Sequence, residues 1–110
     1  GLINAQKLID KGTKVTAVFC MADILAIGAI NGFMKKGVKV PDDISIIGFD
    51  NLAISEYIMP GLTTIQQNIS AKGEEAVNML FNSMSGAFQT KQEKILPISI
   101  VERESVRRLI

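Results

Sequence analysis

Few residues in this chain have chemistry to offer, and they gather where strand-like runs stop. Asp50 and Asn51 directly follow Ile44-Ser45-Ile46-Ile47-Gly48-Phe49, a short run rich in β-branched side chains. That run begins after Pro41-Asp42-Asp43, which carries turn chemistry. Such a pattern suits a strand covered on both faces of a parallel sheet. Ligands of open α/β sheets bind outside the carboxyl ends of strands, so Asp50 stands where a ligand contact belongs. It stands equally well to cap the next turn. Gly48 lets another group come close. Asp23 lies just past a second run, Val15 to Cys20, and its simplest use is to cap the helix that follows. Gln66, Gln67 and Asn68 end a third run. They can serve a polyhydroxy ligand or the backbone where the chain turns.

Several kinds of chemistry are missing from the pattern. The 110 residues include no histidine. No nucleophile–base pair, metal-ligand spacing, P-loop or dinucleotide fingerprint is visible, so neither catalysis nor a cofactor is expected. A single cysteine, Cys20, rules out an internal disulfide. The net charge of +1 gives no sign of a polyanion-binding surface. No apolar run is long enough to span a bilayer and no signal-peptide pattern opens the chain, so no membrane partner is expected. The length bounds the chain to one domain or part of one, and 47% hydrophobic residues are enough for a core. The chain opens on Gly1-Leu2-Ile3 without an initiator Met and is expected to start mid-protein.

The elements that must position these residues alternate. Leu2 to Lys11 has helical apolar spacing and ends at Gly12. Val15 to Cys20 is a strand, and Ile24 to Lys36 a helix closed by Gly37. That helix is apolar almost all round, which one sheet face does not explain. Gly28 and Gly32 share a face and permit close approach, either to a neighbouring helix of the same chain or to another subunit. Ile24, Ile27, Gly28, Ile30 and Met34 are the residues expected at such a homodimer interface. The strand ending at Phe49 follows, then one or two helical turns within Leu52 to Ile58. Leu62 to Gln67 is a third strand whose alternation leaves one face to water or ligand. Ser70 is the expected N-cap of an amphipathic helix, Ala71 to Ser85, with Gly73, Ala76, Val77, Leu80, Phe81 and Met84 in one stripe. That stripe is expected to fold back on the sheet or to pack against another copy. A polar loop, Gln89 to Lys94, leads to Ile95 to Val101, where Pro97 marks an edge or bulged strand. The alternation predicts an α/β fold with a mostly parallel sheet flanked by helices.

The ordered stretches Ala17-Val18-Phe19-Cys20-Met21-Ala22-Asp23, Ala26-Ile27-Gly28-Ala29, Asp43 to Asn51, Pro60-Gly61-Leu62-Thr63-Thr64-Ile65 and Val101-Glu102-Arg103-Glu104-Ser105 resemble the effector-binding region of the LacI/GalR transcriptional repressors. The likeness covers roughly Val15 to Arg107. It implies the C-terminal part of a two-lobed core like that of type I periplasmic binding proteins, spanning residues 1–110, without the DNA-binding domain. The helix from Ala71 would then belong to the other lobe. The resemblance implies a small-molecule effector, a sugar or related metabolite, that modulates operator DNA binding by an N-terminal domain this chain lacks. It also implies a cytoplasmic homodimer.

By the same resemblance, Asp50 matches a carboxylate that commonly contacts the effector, and Asp23 the Asp of an Asn-Asp pair. Ala22 stands where that Asn, often a ligand contact, is usual, and so removes a hydrogen-bonding group. Ile69 matches a position near the cleft where some members carry an aromatic that packs on a sugar. A solute-binding protein of a sugar transporter shares the fold and is the alternative; an enzyme of sugar metabolism is weaker. The all-apolar helix favours the repressor, because transport receptors are usually monomeric.

Overall fold

The computed structural model describes residues 1–86 and 90–110. The elements run α1 (Leu2–Asp10), β1 (Ala17–Phe19), α2 (Asp23–Lys35), β2 (Ser45–Phe49), α3 (Ile54–Tyr57), β3 (Thr63–Gln67), α4 (Ile69–Met84) and β4 (Ile98–Val101). The expected order and types hold, with strands shorter than the apolar runs. Gln89, the start of the expected polar loop, lies outside the described residues.

The chain divides into two units, Gly1–Gln66 with Ser99–Ile110, and Gln67–Ile98. The sheet has the order β1-β2-β3-β4. β1 pairs β2 in parallel with Ala17 opposite Ser45, and β2 pairs β3 in parallel with Ile47 opposite Thr63. The carboxyl ends of these three strands therefore share one edge of the sheet. Pro97 lies just before β4, and β4 is an edge strand, the place where a proline costs no ladder bond.

In the first unit Ala26, Ala29, Ile30 and Phe33 of α2 meet Ile44, Ile46 and Leu62 in the core. The second apolar face of α2 is taken up by α1. A Cβ on Gly28 would lie 3.1 Å from the Leu2 amide nitrogen. One on Gly32 would lie 2.5 Å from the Leu2 carbonyl oxygen and 3.0 Å from the Ala5 Cβ. The two glycines thus serve a helix–helix contact inside the chain. This corrects the interface expectation at two positions. Gly28 packs on the start of α1, and Ile30, 2% exposed, is core. Ile24, Ile27 and Met34 lie on another face, with Ile24 62% and Met34 52% exposed and Ile27 partly buried.

The second unit is built on α4, with a Lys94–Glu75 ion pair at 2.6 Å. Asn68, not Ser70, caps α4. Its side chain accepts a hydrogen bond from the Ala71 amide at 2.9 Å, so the helix starts two residues earlier than expected, at Ile69. No residue of α4 is buried. Val77, Leu80, Phe81 and Met84 of its stripe are exposed.

Glycine substitutions separate the two kinds of helix environment. Gly32→Ala is expected to destabilise the chain by about 1–3 kcal/mol, because it overpacks α1 against α2. Gly73 has open space around it, and Gly73→Ala should instead stabilise α4 by about 0.5–1 kcal/mol. Urea unfolding followed by circular dichroism measures both; a neutral Gly32→Ala would contradict the packing described.

Candidate functional site

Asp50 and Asn51 follow the carboxyl end of β2, and Gln66 lies near that of β3. Asp50 follows β2 with φ +110°, and Asn51 has φ +50°. Left-handed backbone at two successive non-glycine residues costs of order 1–3 kcal/mol each and persists only where the surroundings hold it. The Asp50 amide donates to the Ile65 carbonyl at 2.9 Å. The Asn51 amide donates to Thr64 Oγ1 at 3.3 Å, and the Leu52 amide to Asp23 Oδ2 at 2.7 Å. Asn51 also uses its side chain. Its Oδ1 accepts from Arg103 Nη2 at 2.9 Å, and its Nδ2 donates to Gln66 Oε1 at 3.3 Å.

Asp23 is wholly buried and supports this turn from below. It is the first residue of α2 rather than its cap: Ala22 occupies the N-cap and offers no side-chain bond. Besides Leu52, Asp23 Oδ2 accepts from Ser55 Oγ at 2.6 Å, and Oδ1 accepts from Thr64 Oγ1. Gly48 is what comes close. A Cβ there would sit 2.9 Å from Leu62 Cδ2 and 3.3 Å from Asp23 Cα. The start of β3 is not wet, although Gln66 near its end is exposed. Thr63 and Thr64 are both buried, with their hydroxyls bonded to Arg103 and Asp23.

Ser105 holds the opposite ends of the same strands, and Arg103 reaches from the Asn51 turn to the start of β3. Arg103 Nη1 donates to the Leu62 carbonyl at 2.7 Å. Ser105 Oγ donates to the Ile46 carbonyl at 2.6 Å and accepts from the Thr63 amide at 2.8 Å. Cys20, half-buried at the end of β1, has its thiol pKa raised above the ordinary value by burial.

The structure thus brings together Ala22, Asp23 and Asp50 within the first unit. Ile69 falls in the second, exposed at the first position of α4. Ser55, Thr64 and Arg103 carried no sequence signal as site residues. Polar residues set in apolar surroundings, as Thr63-Thr64 are between Leu62 and Ile65, were the available hint. Among the described residues no cluster of His, Cys, Asp or Glu could hold a metal ion, and no helix is long and apolar enough to cross a membrane. The edge offers hydrogen-bond donors and acceptors on a preorganised turn, which suits binding.

Comparison with known proteins supplies the context. A family model described as a periplasmic binding protein-like domain matches residues 2–106. The HTH-type transcriptional repressor PurR of Histophilus somni is 44% identical over 94% of this chain and 31% of its own length. The repressor CytR of Escherichia coli is 38% identical over 94% of the chain and 30% of its length. The chain therefore spans about a third of these relatives. Among solved structures, a LacI-type transcription regulator from Bifidobacterium animalis superposes with a TM-score of 0.83 at 32% identity, over 97% of this chain and 38% of that one. A LacI family regulator from Enterococcus faecium with bound ribose gives 0.77 at 33% identity, over 96% and 40%.

Asp23 should behave as a structural keystone. Asp23→Ala leaves the Leu52 amide and the Ser55 and Thr64 hydroxyls unpaired, at about 1–3 kcal/mol for each buried group. Thr64→Val removes one partner and should cost less. Denaturant midpoints rank the two, and equal, small losses would refute the assignment.

Proposed function

The chain belongs to the periplasmic binding protein-like domain family, and from that premise we propose that it is the C-terminal part of the effector-sensing core of a LacI/GalR-type transcriptional regulator. The observation that carries this reading is the strained Asp50–Asn51 turn at the shared carboxyl edge of three parallel strands. Its conformation costs free energy, and that cost is offset by bonds to Thr64, Asp23 and Arg103. A turn held in this way presents Asp50 in a fixed geometry, which lowers the entropy lost on binding.

In this reading Asp50 contacts a small polar effector, a sugar or related metabolite. Asp23 acts as a positioning residue because both its oxygens are already engaged inside the protein. Ala22 contributes surface without a hydrogen bond. Effector binding favours one arrangement of the lobes and so biases operator affinity of the intact protein, in the cytoplasm. No catalytic step is part of this function. The relatives are repressors, which supports the regulator over a transporter's solute-binding protein.

The intact regulator is a homodimer in this proposal. Ile24, Ile27 and Met34 recur at helical spacing on α2; Ile27 packs partly against the core, and Ile24 and Met34 beside it are exposed.

Two measurements test the proposal. Asp50→Gly keeps the left-handed backbone and removes the carboxyl; effector binding by the intact protein should weaken by about 1–3 kcal/mol in calorimetry. Unchanged affinity would remove Asp50 from the site. Placing charge on the α2 face with Ile24→Glu and Met34→Glu should convert dimers to monomers in sedimentation velocity, and a persistent dimer would place the interface elsewhere.

A further inference from the structure

Strand β2 alternates between two environments. Ile46 is wholly buried against α2, and α1 and α3 lie on the same side, α1 on the glycines of α2 and α3 through the Ser55–Asp23 bond. Ile47 points to the other face of the sheet. There, with Ile100 and Val106, it lines a groove of about 320 Å³. Ile100 is 60% and Val106 42% exposed, so this apolar floor is open to solvent. Several polar groups along the groove are already committed. Thr63 Oγ1 accepts from the Arg103 amide at 2.9 Å and donates to the Arg103 carbonyl. The Arg103 guanidinium spends both its Nη groups on the Leu62 carbonyl and the Asn51 side chain. Arg107 and Arg108, also on the lining, are different. Arg107 is held through Nε, which donates to the Pro41 carbonyl at 3.1 Å, and its two Nη groups are left for another acceptor. Arg108 is exposed and has no partner among the described residues. Glu102 is the acidic side chain on the lining.

We propose that this groove binds a monocarboxylate with an aliphatic body. It is separate from the strand-end site, since Asp50 does not line it, and it stands without the effector reading. The apolar floor of Ile47, Ile100 and Val106 takes the aliphatic body out of water. A fixed guanidinium offers parallel N–H donors that match a carboxylate, and such charge-assisted bonds are stronger than neutral ones. Two available cations set against one carboxylate suit a single negative charge. Inorganic phosphate gains no apolar burial and brings more negative charge to Glu102. The volume is at the lower end of the range for small-molecule pockets, about 300–1,000 Å³, and fits a short aliphatic chain. The plainer role of Arg107 is to tie the segment after β4 to Pro41. Glutamine can keep a donor for that carbonyl while removing the charge, so it separates the two roles.

The test uses the 110-residue chain, with sodium octanoate as the probe and methyl resonances as the readout. Octanoate should shift the methyls of Ile47, Ile100 and Val106 saturably. 1-Octanol, which keeps the body and lacks the charge, and inorganic phosphate, which keeps charge and lacks the body, should each bind about tenfold more weakly. Arg107→Gln combined with Arg108→Gln should weaken octanoate by about tenfold. Glu102→Gln removes the opposing charge at an exposed position and should tighten octanoate by about two- to threefold. This second variant keeps the test decisive if the double arginine variant fails to fold. Equal binding of octanol would reduce the groove to an unselective apolar surface, and equal binding of phosphate to an unselective basic one; either overturns the proposal. Octanoate shifts confined to Val77 and Leu80 of α4 would do the same. So would unchanged affinity in the double arginine variant, or no tightening in Glu102→Gln.

Discussion

A buried carboxyl group needs partners, and the way Asp23 finds them organises the first unit. Burying a polar group without hydrogen bonds costs several kcal/mol, so an Asp enclosed in the protein demands donors from whatever packs around it. Here they come from three segments distant in sequence: the Leu52 amide after β2, the Ser55 hydroxyl on α3 and the Thr64 hydroxyl on β3. One side chain at the start of α2 thereby fixes the helix against the sheet and fixes the turn above it. Gly48 belongs to the same constraint, because β2 must pass Asp23 closer than a Cβ would allow. α3, only four residues long, has no helical stability of its own, and the Ser55–Asp23 bond helps to place it.

A second clamp acts at the other ends of the strands. Ser105 bridges the Ile46 carbonyl and the Thr63 amide, and its own amide donates to the Gly61 carbonyl at 2.9 Å. The segment after β4 thus sits where the β2–β3 ladder begins. Asp23 governs one end of those strands and Ser105 the other. Between two such clamps the sheet edge has little freedom, and a left-handed pair of residues can persist at Asp50 and Asn51. Strain at that turn and rigidity around it are two aspects of one arrangement.

The second unit obeys a different rule. Its helix is well capped by Asn68 and clearly amphipathic, yet none of the described residues of its own unit buries the apolar stripe. Amphipathicity states that a helix requires a partner; it does not name one. The same limit applied to α2, whose all-round apolar surface was equally compatible with a second subunit and with α1.

Element types and order, the parallel α/β class and the strand-end location of Asp50 were determined by the sequence itself. Those features depend on local periodicity and turn chemistry, such as Pro41-Asp42-Asp43 before β2 and Gly37 after α2, which act over a few residues. The family likeness was also legible, because its short stretches recur in order along one dimension. What only the tertiary structure decided is the set of pairings across long separations. Asp23 reads as a helix cap until Ser55, Thr64 and Leu52 close around it. Thr63 and Thr64 read as a water-facing alternation until Arg103 and Asp23 take their hydroxyls. Gly28 and Gly32 read as an open question until α1 settles on them. A hydrogen bond between residues tens of positions apart leaves no periodic trace in the chain, since either partner alone is an ordinary polar residue. Their meaning comes from burial, which exists only once the chain has folded.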